Sequence, residues 1–151
     1  MTRPKKERMV YRPPLYAEFK PVGIFRRNLK RIQLSLDEYE AIRLADLQGL
    51  DHAEAAEEME ISRSTFTRLI EKARAKLAEF IIEGRELVIS GGTIHFRGNL
   101  IRCLDCGHLF KNDFDHPVIS CPACESTNLL DLAGGFGHGN CCSLKRRRRG
   151  R

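Results

Sequence analysis

Between positions 34 and 84 the apolar residues recur at intervals of three and four, the spacing that lines up side chains along one face of an α-helix. Leu36, Tyr39, Ala41 or Ile42, and Leu47 predict a first helix. It opens with Ser35-Leu36-Asp37-Glu38, a capping box in which Ser35 and Glu38 satisfy amides orphaned at a helix start, and Gly49 marks its end. Asp51-His52-Ala53-Glu54 repeats the capping logic and starts a short second helix running to about Glu58, with Ala55, Ala56 and Met59 suited to close packing. A tight turn follows at Glu60 and Ile61, and Ser62 then caps a longer third helix that stops at Gly84. At roughly 100° per residue, Thr67, Arg68, Glu71 and Ala75 fall within about 60° of Ser64. Phe66, Leu69, Ile70, Ala73, Leu77 and Phe80 gather on the opposite side, so one face packs and the other is left free.

A short helix, a three-residue turn and a longer helix make a helix-turn-helix arrangement, whose second helix enters the DNA major groove and reads bases from its N-terminal residues. That assigns Ser64, Thr67 and Arg68 to base contacts and Arg63, Thr65 and Lys72 to phosphates. Arg68 has the geometry for two hydrogen bonds to guanine. The bland alternative is an amphipathic core helix with an ordinary solvated face.

Beyond Gly84 the period changes. "ELVIS-GG-TIHF", residues 86 to 96, alternates around a Gly-Gly pair and predicts a hairpin. It leads to Cys103-Leu-Asp-Cys106 and Cys121-Pro-Ala-Cys124, two C-x-x-C pairs with 14 residues between them. Each pair forms a knuckle with two thiolates, and two knuckles supply a tetrahedral four-sulfur site that suits one structural zinc ion. Gly107 eases the first knuckle turn. Rubredoxin-like iron is the closest rival; two disulfides or a redox C-x-x-C pair fit less well, since the α/β pattern that accompanies the latter is missing. Four cysteines close the site, which leaves His108 and His116 to the surface. A segment this poor in apolar side chains needs the ion to fold. The remaining "AGGFGHGNCCSLKRRRRGR" is expected as a flexible basic tail, with a labile metal or redox site of His138, Cys141 and Cys142 as the sharper alternative.

Charge adds a partner to this picture. Residues 1 to 31 carry 10 basic and 2 acidic side chains and residues 145 to 151 carry 6 basic ones, around a helical segment that is acidic. Cationic ends suit an anionic polymer, because Lys and Arg displace counterions condensed on phosphates. Arg3, Lys5, Lys6 and Arg8 are therefore expected on DNA phosphates. No apolar run approaches the roughly 18 residues of a membrane helix, so no membrane partner and a cytoplasmic location are expected. With no G-x-S-x-G elbow, H-E-x-x-H pair or P-loop, and a metal site without an open position, no enzyme activity is expected.

"FKPVG" (19 to 23), "DEYEAIRLADLQGL" (37 to 50), "AAEEM" (55 to 59), "SRSTFTRLIEKARAKLA" (62 to 78) and "LVISGG" (87 to 92) resemble, in order, an uncharacterised family of small predicted DNA-binding proteins whose helix-turn-helix is similar to region 4 of the sigma-70 factors. "IRCLDCGHLFKN" and "ISCPACESTNLLDL" resemble a zinc ribbon. The chain departs from the first pattern at Glu60, where Gly or Asn is usual and a left-handed backbone costs a Glu more, and at "IFRRNLKRI", which lacks a proline often seen there. The resemblance implies DNA binding.

The expected architecture is mainly α, a helix-turn-helix bundle with a small β zinc-ribbon module: a basic arm over 1–31, the helical domain over 32–92, the ribbon over 93–132 and the tail over 133–151. The expected function is sequence-specific binding of double-stranded DNA in transcription regulation, with a homodimer left open. The alternatives are an adaptor docking on RNA polymerase and a metal- or redox-responsive protein using the tail cysteines.

Overall fold

Residues 7–143 are described by a computed structural model. The described residues divide into two compact units, one formed by residues 7–9 with Tyr16–Ile94, the other by Val10–Leu15 with residues 95–143.

Local signals set the helices of the first unit where the sequence pattern puts them. Helix α1 (Leu36–Ile42) is capped by Ser35: the Glu38 amide donates to Ser35 Oγ at 3.4 Å and the Ser35 amide to Glu38 Oε1 at 3.0 Å. A π-helical turn, Arg43–Leu47, prolongs it. Helix α2 (His52–Met59) carries a second capping box, with the Glu54 amide 2.8 Å from Asp51 Oδ1 and the Asp51 amide 3.1 Å from Glu54 Oε2. Helix α3 (Arg63–Glu83) starts at Ser62 and ends at Gly84, whose φ of 62° places it in the left-handed region. The turn before α3 contains the non-glycine left-handed residue that the sequence departure foreshadows, Glu60, at φ 57° and ψ 43°. Ala41, Leu44, Ala55, Ala56, Met59, Phe66, Leu69 and Ile70 bury one another between the three helices.

The mainly α expectation is corrected by the strands. Of the described residues 38% are helical and 20% lie in strands of three small sheets, a mixed α/β fold. In the first unit β3 (Arg31–Leu34) pairs in parallel with β4 (Glu86–Ile89), Arg31 opposite Glu86 and Leu34 opposite Ile89. Strand β2 (Glu18–Phe19) pairs antiparallel with the other edge of β4. The three helices are thus the crossover that a parallel pair requires. Segments this short carry almost no periodicity, and their partners lie far along the chain, so the sequence pattern underweights them.

The hairpin expected over residues 86 to 96 is also absent. Both edges of β4 are taken by β2 and β3, so β5 (Ile94–Phe96) pairs instead with β1 (Arg8–Val10). Gly91 and Gly92, at φ 78° and 104°, turn the chain across the start of α1, where the Leu36 amide donates to the Gly91 carbonyl at 3.0 Å.

The stretch expected as a basic arm contributes folded structure. Arg8 is paired with Asp37, and Arg26 and Arg31 reach Glu86 at 2.7 and 3.5 Å. Glu86 is 2% exposed, so these cations offset a carboxylate that could not otherwise be buried charged.

In the second unit β6 (Asn99–Cys103) is central, with β7 (Leu109–Asn112) and β8 (Leu129–Asp131) antiparallel on its two edges. Helix α4 (Leu132–Gly135) follows directly, capped by Asp131, and Val10, Pro13, Pro14, Phe96, Ile101, Leu132 and Ala133 are buried here. No helix among the described residues is long and apolar enough to cross a membrane.

Candidate functional site

Helix α3 is held by its buried stripe, Phe66, Leu69, Ile70 and Ala73, which leaves its opposite face open. Arg63, Ser64, Arg68 and Lys72 are exposed there, and Thr65 and Thr67 are half-buried. Among the described residues none of Arg63, Arg68 and Lys72 is in an ion pair. The hydroxyls are more constrained. Thr67 Oγ1 donates to the Arg63 carbonyl at 3.1 Å and lies 2.8 Å from His52 Nδ1, so it locks α2 to α3. Ser62 Oγ lies 2.7 Å from Thr65 Oγ1 and 3.2 Å from Ser64 Oγ, a hydroxyl cluster at the helix start.

Beside this face lies a polar cleft of about 600 Å³, lined by Arg8, Arg68, Lys72 and Lys76 together with Asp37 and Glu38. Two of its cations are engaged: Arg8 by Asp37, and Lys76 by Glu38 Oε1 at 2.6 Å. Arg8 therefore belongs to the folded unit, whereas Arg3, Lys5 and Lys6 lie outside the described residues. The sequence pattern does not single out Lys76, because its partner Glu38 lies 38 residues away along the chain.

The four cysteines of the second unit converge. Cys103 Sγ lies 3.5 Å from Cys124 Sγ and Cys106 Sγ 3.7 Å from Cys121 Sγ, with Cys103 and Cys121 buried and Cys106 and Cys124 exposed. Two knuckles with one hydrogen-bond plan bring this about. In the first, the Gly107 amide donates to the Cys103 carbonyl and the Cys103 amide to the His108 carbonyl, both at 2.9 Å. In the second, the Glu125 amide donates to Cys121 and the Cys121 amide to Ser126, both at 2.8 Å. Each knuckle needs a left-handed residue after its second cysteine; Gly107 (φ 78°) supplies one without strain and Glu125 (φ 61°) the other. The Cys106 amide, aimed at Cys103 Sγ, holds that thiol down to about 6, whereas the neighbouring Cys103 and Cys106 sulfurs push Cys124 up to about 12, so the protons belong to the set of sulfurs rather than to any one of them. Asp105 ties the knuckles together by accepting from Ser126 Oγ and, at 3.2 Å, from Asn128 Nδ2. The four sulfurs can hold a metal ion.

His138, Cys141 and Cys142 also come together, and the structure adds a residue that no local motif signals, His95 on β5. It sits in an alternating apolar stretch, where an inward histidine reads as core. Burial pushes the Cys142 thiol up to about 11, and burial followed by the neighbouring His95 holds His138 below its ordinary value.

The profile of the family described as "Protein of unknown function DUF134" matches residues 1–97, the first unit and the entry into the second, and stops short of Cys103. Similar proteins, all designated UPF0251 protein, extend further. One from Chloroherpeton thalassium is 51% identical over 154 residues, covering 100% of this chain and 99% of its own. One from Halothermothrix orenii is 43% identical over 129 residues, covering 83% and 96%. One from Chlorobaculum tepidum is 39% identical over 145 residues, covering 92% and 73%. No solved structure matches the chain.

Proposed function

We propose that this chain, which belongs to the DUF134 family, binds double-stranded DNA by sequence and acts in transcription regulation. One observation carries the proposal: α2, a three-residue turn and α3 leave one face of the N-terminal half of α3 exposed, with Arg63, Arg68 and Lys72 free of ion pairs among the described residues, opposite a fully buried Phe66. A helix so anchored presents its first turns to a major groove, Arg68 to a base edge and Arg63 and Lys72 to phosphates. The resemblance to sigma-70 region 4 supports the same role. Thr67, tied to His52 and Arg63, would act by fixing α3 rather than by reading a base.

The four-cysteine cluster fits a structural zinc ion. Zinc–sulfur bonds of about 2.3 Å in a tetrahedron separate the sulfurs by about 3.8 Å, and the observed separations of 3.5 and 3.7 Å match that spacing. Four protein thiolates leave no position for water or substrate, which supports a binding protein over an enzyme.

Selection from random double-stranded DNA with the purified chain tests the function. Enrichment of a motif, with preference at one position relaxed in Arg68→Ala, supports direct reading. Failure to enrich any motif refutes it, and retention of RNA polymerase by the same protein would then favour the adaptor role.

A further inference from the structure

The second unit holds a donor set apart from the four-cysteine cluster. His95 comes from β5, and His138, Cys141 and Cys142 come from the glycine-rich stretch after α4. One ligand atom from each lies within 4.8 Å of all the others. His138 Nδ1 is 3.4 Å from Cys141 Sγ and 3.9 Å from Cys142 Sγ, and the two sulfurs are 3.8 Å apart.

We propose that His95, His138, Cys141 and Cys142 form a second metal centre, a two-nitrogen, two-sulfur site for a zinc-class divalent ion that clamps the segment 132–143 onto β5. Tetrahedral zinc with sulfur at about 2.3 Å and nitrogen at about 2.0–2.1 Å sets sulfur–sulfur edges near 3.8 Å and nitrogen–sulfur edges near 3.6 Å. The observed sulfur–sulfur edge of 3.8 Å equals the first value, and the nitrogen–sulfur edges of 3.4 and 3.9 Å from His138 lie on either side of the second. Two thiolates, two neutral imidazoles and a divalent cation make a neutral assembly, which suits a place where His95 and Cys142 are buried.

The surroundings hold the donors as a metal site requires. The Phe96 amide donates to Cys142 Sγ at 3.2 Å, the kind of outer-shell hydrogen bond that orients a ligating thiolate. The Phe96 ring meets the His138 ring edge to face, centroids 5.3 Å apart. Behind His138, its amide donates to the Ala133 carbonyl at 3.0 Å, and the Ala133 amide donates to Asn99 Oδ1 at 3.0 Å. Asn99 Nδ2 donates to Asp131 Oδ1 at 2.7 Å, so the segment is pinned to β6 at its start. Further on, Gly134, Gly135, Gly137 and Gly139 give the backbone great freedom when unfolded. A glycine-rich stretch does not hold three donors against a fourth on a strand without a strong local interaction, and metal binding supplies one. The inference is independent of DNA binding and predicts two ions per chain where sequence spacing predicts one.

The test uses the full chain, reduced, stripped of metal and titrated anaerobically with Zn²⁺ or Co²⁺. Wild type should take up two equivalents. Cys141→Ser, a change at an exposed position, should take up one and keep the cobalt bands of the four-sulfur site, while Cys106→Ser should take up one and keep the bands of the mixed site. His138→Cys should still take up two, with added sulfur-to-cobalt charge-transfer intensity, a gain of signal that misfolding does not mimic. The proposal is overturned if wild type takes up one equivalent and leaves two thiols rapidly reactive in the loaded chain. It is equally overturned if Cys141→Ser retains both ions or if His138→Cys leaves the cobalt spectrum unchanged.

Discussion

Replacing Arg63 and Lys72 together by alanine removes two exposed cations of α3 that no ion pair engages among the described residues, and the expected effect is electrostatic. Each phosphate contact contributes roughly 0.9 to the slope of log affinity against log salt, so losing two should make that slope shallower by about 1.8 while the preferred sequence is kept. Arg8 is the control that the structure provides. Its guanidinium is bound to Asp37, with side-chain exposures of 20% and 11%, so Arg8→Ala should leave the salt slope unchanged. It should instead destabilise the first unit by about 2–3 kcal/mol, between the small value of an exposed pair and the larger cost of stranding a buried carboxylate. Fluorescence anisotropy with the selected duplex over a series of KCl concentrations, alongside urea unfolding, measures both quantities. An unchanged slope in the α3 double variant would refute the groove assignment. A slope flattened by Arg8→Ala would show that the Asp37 pair opens to release a phosphate-binding cation.

Three further outcomes are expected. Glu60→Gly relieves a left-handed residue that costs about 1–2 kcal/mol, against about 0.5–1 kcal/mol of added unfolded-state freedom, so it should stabilise the first unit by about 0.5–1 kcal/mol in urea unfolding whereas Glu60→Ala should not. Phe66→Ala empties a site with 0% exposure and should cost about 3–5 kcal/mol by the same measurement. Cys106→Ser should lose the ion of the four-cysteine cluster and become protease-sensitive over about residues 104–128, while the far-UV helical signal of the first unit persists.

What the sequence made legible was local. Ser35 with Glu38, Asp51 with Glu54, Ser62 and Gly84 each act within one turn of chain, and the structure has all of them at the expected caps. The cysteine knuckles are equally readable, because each is a single C-x-x-C turn, the first marked by Gly107, whereas the left-handed Glu125 of the second carries no such mark. Pairings across distance were hidden. Nothing near Glu18 announces Val88 as its neighbour, and nothing near Arg31 announces Glu86. The cationic start of the chain misled for a related reason: charge counting treats Arg26 and Arg31 as available for a polymer, although their counter-charge is a carboxylate buried in a distant strand. His95 was invisible because its co-donors lie at the other end of its unit.

The parallel pairing of β3 with β4 also fixes an order of events during synthesis. Strands β2 and β3 leave the ribosome with nothing to pair with, since the strand that joins both of them follows all three helices. The helices close over short separations and can form early, but the sheet waits for Glu86–Ile89 to emerge. The segment carries four positive charges, Arg26, Arg27, Lys30 and Arg31, of which two meet Glu86 in the folded sheet, and charged side chains on an unpaired strand edge disfavour pairing with another chain.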